Sequence, residues 1–308
     1  MVASGSKVVT MEEAVREHVK DGMSIAMGCA LESMIPFAAG HEILRQKKKN
    51  LTLIGPISDM LFDQMIGGGA VSRIKAAWVG NVSTGIGYNF RRAMERSIPG
   101  PLVMEDHSNF SIALALHAGA MGVPFAVTHS LQGSDISRNQ SIFKEIVCPF
   151  TGRKLLAVKA VTPDLAIINA QRADEEGNIH CWGNFGISLD AAKAAKKVLA
   201  VVEEIVSPEL IRRDPNRTVI PGFRVSAVVR EPWGAHPSAV QGFYGHHDRI
   251  YVDYAQRTRE EDDSRAWFDR FVYGVDGRKE YLKLIPPEEL DALKVSRSVP
   301  SPVVEFGY

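Results

Sequence analysis

Two adjacent carboxylates, Glu105 and Asp106, lie in the polar segment MEDHSNF (104–110), between two apolar stretches. Ligands in open α/β sheets collect where strands end, because loops and helix N-termini converge there. One carboxylate can interact with the positive N-terminus of the next helix, which leaves the other free to point into a cleft. Ser108 and Asn109 are typical helix caps. We therefore expect the acid pair, rather than these two residues, to carry chemistry in this segment.

A second polar segment follows a predicted strand at residues 131–135. Gln132, Gly133 and Ser134 bring an amide, a glycine and a hydroxyl together there. A loop of this kind can bind a carboxylate or a carbonyl group, and it can equally be a solvated turn. The residues alone leave both interpretations open.

Other clusters favour packing or turns over chemistry. His246, His247 and Asp248 suggest a metal site, but adjacent histidines rarely face one ion and no third ligand stands at a matching spacing, so we expect a surface loop. Cys29 and Cys181 have no base at a recognisable spacing and are expected in the core. The glycines of 67–69 and 85–87 match neither a phosphate loop nor the dinucleotide fingerprint. The sequence therefore predicts no metal site and no resident cofactor.

Strands alternate with helices along the chain, and this order predicts an open, mostly parallel α/β sheet with helices on both faces. Thr10 and Glu13 form a capping box that opens the first helix. Further helices are predicted over about 36–46, 89–97, 110–120, 189–197 and 260–271. Strands are predicted at 23–27, 51–54, 74–79, 102–104, 123–127, 155–158, 165–169, 198–202 and 225–229. Residues 67–69 and 130–140 are predicted loops, which leaves one domain over 1–308.

Composition restricts the class of protein. The chain has 308 residues, of which 45% are hydrophobic and 23% charged, and 36 basic residues balance 36 acidic ones. Zero net charge does not favour nucleic acid or an anionic membrane as a partner. No apolar run reaches the ~20 residues that a membrane span needs, and the first residues lack the apolar core of a signal peptide. With three scattered cysteines and no disulfide framework, we expect a cytoplasmic protein.

Several stretches, in their order and spacing, resemble the alpha (A) chain of family I CoA-transferases, of the glutaconate CoA-transferase type. The resemblance covers about residues 6–284. The stretches are SKVVTMEEAV, MEDHSNF, PFAVTHSLQGSD, CPFTGRKLLAV, QRADEEGN followed by WG, EEIVSPELIRRDPNRTVIPG and PWGAHPSAVQGFY. Each is weak alone, and together they are specific.

The resemblance implies a fold like that of the ribose-5-phosphate isomerase group. It also implies a homologous beta (B) subunit, commonly in an A2B2 heterotetramer, with the active site between the two kinds of subunit. The nucleophile is then a glutamate of the beta subunit, which takes CoA from an acyl-CoA and passes it to a small carboxylic acid by ping-pong chemistry through a glutamyl-CoA thioester. CoA enters as a substrate, and no permanent cofactor is required.

Glu105 is the catalytic candidate within this chain. Enzymes of bacterial steroid-ring degradation that resemble this family open a ring in a CoA thioester by hydrolysis, and they use an acidic residue at the matching place of their alpha subunit. In the transferases the resemblance implies instead that Glu105 orders the interface cleft or contacts substrate. The candidates for substrate binding are Gly28, Glu32, Asp106, Ser108, Asn109, Gln132, Gly133 and Ser134.

The loop over residues 28–36 departs from the pattern. In the glutaconate enzyme, which this region resembles, a basic Arg-Lys pair precedes the proline. This chain has Ser33-Met34 or Met34-Ile35 at that place. A cation for the distal carboxylate of a dicarboxylate is missing, which does not favour glutaconate as the substrate. Glu32 adds an acid that is either a helix N-terminal residue or a substrate contact.

Three functions compete at this point. The first is the alpha subunit of a CoA-transferase, and the second is a CoA-thioester ring-opening hydrolase or decarboxylase that uses Glu105 or a changed partner residue. The third is a ligand-sensing domain without chemistry, which the lack of a helix-turn-helix segment and of a basic face disfavours. The sequence predicts neither the acyl group nor the acceptor acid.

Overall fold

The computed structural model describes residues 5–139 and 141–295. Its strands are β1 (Val8–Val9), β2 (Ser24–Met27), β3 (Leu51–Ile54), β4 (Val71–Ala76), β5 (Gly80–Asn81), β6 (Gly85–Ile86), β7 (Val103–Asp106), β8 (Phe125–Thr128), β9 (Phe143–Val147), β10 (Lys154–Lys159), β11 (Leu165–Ala173), β12 (Ile179–His180), β13 (Lys197–Ile205), β14 (Thr218–Ile220) and β15 (Val225–Arg230). Its α-helices are α1 (Met11–His18), α2 (Phe37–Arg45), α3 (Asp59–Gly67), α4 (Tyr88–Arg96), α5 (Asn109–Ala120), α6 (Ser188–Ala194), α7 (Pro208–Arg213), α8 (Asp248–Arg257), α9 (Glu261–Phe268), α10 (Arg278–Leu282) and α11 (Pro287–Leu293).

Eight parallel strands form the main sheet in the order β1-β15-β13-β11-β2-β3-β4-β7. The chain builds outwards from the centre, first through β3 and β4 to β7 and then through β11 and β13 to β15. β12 and β14 extend the sheet with antiparallel pairing, and β8-β10-β9 form a separate antiparallel sheet. The predicted open, mostly parallel α/β sheet is confirmed.

Side chains alternate between the two faces of the sheet and build two apolar cores. On β2, Ile25 and Met27 pack into the core that α1 to α4 and the C-terminal helices share. Ala26, between them, faces the core beneath α5 and α6. Helices therefore cover both faces, as the alternation of strands and helices predicts.

The capping box of the first helix is confirmed. The Thr10 hydroxyl accepts a hydrogen bond from the backbone N–H of Glu13, and the Glu13 carboxylate accepts one from the backbone N–H of Thr10. Two backbone donors at the helix start are thereby satisfied. The predicted helices near 36–46, 89–97, 110–120 and 189–197 form as α2, α4, α5 and α6.

Several assignments from sequence need correction. α3 lies where no element was predicted, because eight of its nine residues are buried and a helix buried all round shows no amphipathic period. Its last residue, Gly67, begins the predicted 67–69 loop. The strands predicted at 123–127 and 155–158 belong to the antiparallel sheet instead of the main one. The last predicted helix ends as α9 at Phe268, and a π-helical turn follows over Asp269–Tyr273.

The prediction of one domain over 1–308 stays a prediction, since residues 1–4, 140 and 296–308 lie outside the described residues. Within the predicted loop 130–140, the described part contains a 3-10 turn at Asp135–Arg138. No helix in the described ranges is long and apolar enough to cross a membrane.

Candidate active site

The acid pair lies within the edge strand β7, and not after it as predicted. β7 pairs with β4 in parallel, so that Glu105 lies opposite Lys75 and Asp106 opposite Ala76. Because successive residues of a strand point to opposite faces, the two carboxylates diverge. Glu105 is 8% exposed, whereas Asp106 is exposed. The two acids therefore do not act as a carboxylate pair.

Glu105 is held by two donors from neighbouring positions in the sheet. Its Oε1 lies 2.9 Å from Nζ of Lys75 and 3.3 Å from Nε2 of His107. Burial raises the pKa of Glu105, but the hydrogen bonds from His107 and Lys75 outweigh it and bring the pKa to about 2. Glu105 is therefore ionised at neutral pH and cannot serve as a general acid there.

His107 is held by its backbone and by its ring. Its backbone N–H donates to the carbonyl of Ala76, and its ring packs edge-on against Phe143 with centroids 5.7 Å apart. Because an ionised carboxylate only accepts hydrogen bonds, Nε2 of His107 donates to Glu105. Nδ1 lies 3.1 Å from Oγ of Ser111, within hydrogen-bond distance. Helix α5 thus orients the histidine that orients Glu105.

A cavity of about 430 Å³ opens beside this carboxylate, and we call it the Glu105 cleft. It lies between the face of the main sheet that bears Glu105 and the segments that flank β9 and β10. Its lining residues are Ser24, Thr52, Ile54, Arg73, Lys75, Glu105, Ser141, Ile142, Lys159, Ala160, Val161 and Thr162. Glu105 is the acidic residue of this lining.

Ser108 and Asn109 form the start of α5. The Ser108 hydroxyl accepts from the backbone N–H of Ser111, and the Ser111 hydroxyl accepts from the backbone N–H of Ser108. Ser108 is therefore the N-cap, which is one of the two alternatives expected from sequence. Asn109 is the first helical residue and is exposed.

The second polar segment is a tight turn tied to β10. The Gln132 side chain donates to the carbonyl of Lys154 at 2.9 Å, and the Ser134 hydroxyl donates to the carbonyl of Leu131 at 2.9 Å. Gly133 has a φ of 82°, which favours glycine. These contacts agree with the turn interpretation, and they leave substrate binding by this segment a prediction.

Gly28 follows β2 and passes close to the end of β3. Its φ is 66°, and a Cβ at this position would lie 2.7 Å from Cβ of Ser58, so the position requires glycine. Glu32 is exposed in the same loop. The expectation that it is a helix N-terminal acid is wrong, because α2 begins at Phe37 and its first turn contains no acid.

Glu203 was missed from sequence. It lies near the end of β13, is 5% exposed, and accepts hydrogen bonds from the backbone N–H of Trp233 at 2.7 Å and from the hydroxyl of Tyr244 at 2.8 Å. Burial raises its pKa to about 7. The available signal was an apolar strand that ends in two acids, Glu203 and Glu204, at the ligand-binding edge of a parallel sheet.

The cysteines are confirmed as core residues, and the histidine cluster is corrected. Cys29 and Cys181 are buried, and burial raises the pKa of each thiol to about 12. His247 does not lie in a surface loop: it is 6% exposed, with Nδ1 2.8 Å from Nε2 of His236 and Nε2 3.1 Å from the carboxylate of Glu289. It packs the start of α8 onto the C-terminal helices.

The geometry offers a fixed, ionised carboxylate beside an open cleft. In the described ranges, no group of three or more His, Cys, Asp or Glu residues could hold a metal ion. Of the predicted site residues, the structure places Glu105 in the cleft beside Lys75. Sequence reasoning did not connect Glu105 to Lys75 or to His107, which both contact its carboxylate. The signal for the contact with Lys75 was a pattern in β4, an interior strand. There Arg73 and Lys75 alternate with buried residues.

The sequence of this chain is similar to those of known proteins. The family model described as Coenzyme A transferase matches residues 8–231. The alpha (A) chain of 3-oxoadipate CoA-transferase from Pseudomonas knackmussii is 37% identical over 276 residues, which cover 90% of this chain and 97% of the relative. The corresponding chain of glutaconate CoA-transferase from Acidaminococcus fermentans is 35% identical over 307 residues, which cover 94% of this chain and 95% of the relative.

Two solved structures extend the comparison. The crystal structure of the glutaconate enzyme gives a TM-score of 0.89 at 34% identity and covers 98% of both chains. The decarboxylase AibA/AibB, solved as a cysteine-to-serine variant, gives a TM-score of 0.72 at 29% identity, covering 85% of this chain and 99% of that one. The family match runs from β1 to β15 and includes the strands that carry Lys75 and Glu105. The chain belongs to the coenzyme A transferase family, as the alpha subunit of a CoA-transferase.

Proposed function

We propose that this alpha subunit works with a beta subunit to move CoA from an acyl-CoA to a small carboxylic acid by ping-pong chemistry, with the nucleophilic glutamate on the beta subunit. The observation that carries the proposal is the state of Glu105. Its carboxylate is held by Lys75 and His107, and these contacts lower its nucleophilicity. This chain then supplies half of a site, and the partner supplies the nucleophile.

The proposed reaction has two symmetric halves. The glutamate carboxylate of the beta subunit first attacks the acyl-CoA thioester, forming a mixed anhydride and releasing CoA thiolate. The thiolate attacks the glutamyl carbonyl and expels the first carboxylate, which leaves an enzyme–CoA thioester. The acceptor carboxylate then attacks this thioester and the same steps run in reverse. Each attack passes through a tetrahedral oxyanion, which backbone N–H donors stabilise, each by about 3–4 kcal/mol.

Glu105 has a positioning role in this scheme. Its ion pair with Lys75 fixes the wall of the Glu105 cleft and sets the charge that an incoming acid meets. The anhydride must be kept from water, so the wall of the site has to be rigid and closed when the subunits join. The substrate-binding candidates Asp106, Ser108, Asn109, Gly28, Glu32, Gln132, Gly133 and Ser134 do not line this cleft, and they stay proposed substrate contacts outside it.

Exposed apolar side chains near the cleft support the proposal that a partner subunit binds there. Phe125 and Val127 of β8 are 45% and 43% exposed, and Phe150 in the β9–β10 turn is 92% exposed. Apolar surface of this kind marks interaction sites. Lys159, which lines the cleft, pairs in register with Phe125, so the apolar surface continues to the cleft mouth. We assign this surface to the beta subunit, in an A2B2 assembly in the cytoplasm that carries no resident cofactor.

Product analysis tests the proposed reaction. This chain is purified together with its beta subunit and supplied with a panel of acyl-CoAs and acetate, and the products are identified by mass spectrometry. Formation of acetyl-CoA supports the transferase. Free CoA, a ring-opened acid or released carbon dioxide without acetyl-CoA would establish the hydrolase or decarboxylase alternative, and no turnover with any acyl-CoA would favour the ligand-sensing one.

A further inference from the structure

Another cavity, of about 390 Å³, opens where β13 and β15 end, and we call it the Glu203 pocket. Open α/β sheets bind ligands at the carboxyl ends of their parallel strands, and this volume lies within the 300–1,000 Å³ typical of small-molecule pockets. The lining residues are Glu203, Glu204, Arg230, Pro232, Trp233, Gly242, Phe243, Tyr244, Lys294 and Val295. None of them lines the Glu105 cleft, so the two cavities are separate.

Aromatic rings form one part of this lining. Trp233 stacks on Tyr244 with ring centroids 4.2 Å apart and an angle of 15° between the ring planes. Phe243 adds a third ring, and Pro232 adds apolar surface beside it. Aromatic side chains bind the flat faces of nucleobases by stacking. The lining therefore suits a planar heteroaromatic group.

Glu203 is the buried polar group of the pocket, and two neighbours hold its carboxyl group in place. The backbone N–H of Trp233 donates to Oε2 at 2.7 Å, and the hydroxyl of Tyr244 donates to Oε1 at 2.8 Å. Trp233 has a φ of 64°, which is rare for a bulky residue and is typical of functional sites. Burial raises the pKa of Glu203 to about 7, while the nearby charges of Arg278 and Glu231 lower and raise it, respectively. The carboxyl group is therefore mostly neutral at pH 6.5.

A neutral carboxyl group has the hydrogen-bonding pattern that adenine requires. It carries one O–H donor beside an acceptor oxygen. Adenine presents an amino donor beside a ring-nitrogen acceptor, and the side-chain amides of Asn and Gln bind it with two hydrogen bonds for the same reason. Glu203 can therefore recognise the edge of an adenine whose face stacks on the rings of the pocket.

The rim of the pocket carries a cation that suits a phosphate. Arg230 is exposed, and within residues 5–139 and 141–295 it forms no ion pair. The other two charged residues of the rim, Lys294 and Glu204, each have a group of opposite charge within 4.0 Å. A guanidinium binds phosphate with two parallel hydrogen bonds.

We propose that the Glu203 pocket binds the nucleotide end of CoA, with adenine between the aromatic rings and the carboxyl group of Glu203 and with a phosphate on Arg230. This inference rests on the proposed function, in which CoA enters as a substrate. It gives this chain a task apart from the nucleophile, which is to anchor CoA by the end that does not react. Binding energy from a remote part of a substrate can orient the reacting part.

Equilibrium binding of fragments that lack the thiol tests the inference. Adenosine 3′,5′-bisphosphate and its purine riboside analogue, in which hydrogen replaces the amino group, are titrated calorimetrically into the complex of this chain with its beta subunit at pH 6.5. The wild type is expected to bind the adenosine compound about fivefold or more tightly, because the analogue cannot make one of the two hydrogen bonds. Glu203→Leu should abolish this preference, and Glu203→Gln should keep it.

Arg230→Gln tests the phosphate contact. It should weaken the binding of both compounds about tenfold, which is the size of effect of a charged hydrogen bond. Arg96→Gln is the matched control, since Arg96 is an exposed arginine at the end of α4, and it should leave both affinities unchanged. A pH series tests Glu203 without a disruptive substitution. At pH 8.5 the wild type should lose its preference for the amino group, whereas Glu203→Gln should retain it.

The contrary outcomes are equally clear. No binding of adenosine 3′,5′-bisphosphate by the wild type, affinities unaltered in Arg230→Gln, or a wild-type preference that is the same at both pH values would each overturn the proposal. Because no reaction is measured, a complex that hydrolyses acyl-CoA instead of transferring CoA gives the same decision. Failure of the binding test and failure of the proposed transfer reaction are therefore distinguishable.

Discussion

Glu105 and Glu203 are both buried carboxyl groups near the ends of parallel strands, with 8% and 5% of their surface exposed. Burial raises the pKa of each, yet the final pKa is about 2 for Glu105 and about 7 for Glu203. The difference lies in their partners. Glu105 faces the ammonium of Lys75 and the ring of His107, whereas Glu203 accepts from a neutral backbone N–H and a neutral phenol.

This comparison separates two uses of a buried acid in one fold. A carboxylate with a cation beside it keeps its charge and can shape the electrostatics of a cleft. A carboxyl with neutral donors titrates near neutral pH and links stability to pH. The Glu105 cleft is accordingly the stronger candidate for binding an anionic substrate, because Glu105 stays ionised and paired with Lys75 over the physiological range.

The largest expected effect concerns Glu203. Its folded pKa of about 7 exceeds the ordinary value of 4.5, so its contribution to stability is fully present below pH 4.5 and is lost as the pH rises through 7. Between pH 5 and pH 8 the wild type should lose about 2–3 kcal/mol more unfolding free energy than Glu203→Gln, whose amide stays neutral. Urea unfolding of both proteins at the two pH values measures this. Parallel pH profiles would contradict the assignment of Glu203.

Lys75→Met should have the next largest effect. It leaves the Glu105 carboxylate buried with His107 as its remaining partner, which we expect to lower the unfolding free energy by about 2 kcal/mol. Removing one member of a fully buried pair costs about 3–5 kcal/mol, and the Lys75 side chain is 23% exposed, so the effect is smaller. Adding Glu105→Gln to Lys75→Met should restore part of the loss. A double variant no more stable than Lys75→Met would show that the two side chains are not coupled.

Tyr244→Phe should have a smaller effect. The change removes the phenol that donates to Glu203 at 2.8 Å and leaves the backbone N–H of Trp233 in place. We expect a loss of about 1 kcal/mol in unfolding free energy at pH 8, where the carboxylate needs both donors. At pH 5 the carboxyl is neutral and the loss should shrink. An equal loss at both pH values would assign the tyrosine to packing alone.

Asp106→Asn should have the smallest effect and serves as the control for Glu105. Asp106 is adjacent in sequence but exposed on the opposite face of β7. We expect a change in unfolding free energy within about 0.5 kcal/mol. An effect as large as that of Glu105→Gln would mean that the two faces of the edge strand are not independent.

Most of the fold could be predicted from the sequence, because apolar periodicity and capping residues are local signals. The Thr10 capping box and the strand at β2 are examples. α3 could not be predicted, since its burial on all sides erases the period that identifies a helix. The antiparallel sheet was missed because strand direction depends on distant pairing, and no local pattern encodes it.

The site was predictable in residue type but not in contacts. Glu105 was identified from its position after an apolar stretch, and its separation from Asp106 follows once the strand is known to include both. Its contact with Lys75 spans 30 residues and depends on the register of β4 against β7. The donors of Glu203 come from segments 30 and 41 residues further along the chain. Strand register and contacts between distant segments are tertiary properties, which local sequence patterns do not reveal.

The central claim is that Glu105 is an ion-paired positioning residue and that the nucleophile lies on the beta subunit. The complex of both subunits is mixed with acyl-CoA in the absence of an acceptor acid, and the intact mass of each polypeptide is then measured. The account predicts the mass increase of a CoA thioester on the beta subunit, none on this chain, and the same distribution in Glu105→Gln. A CoA or acyl adduct on this chain that disappears in Glu105→Gln would contradict it and make Glu105 the nucleophile.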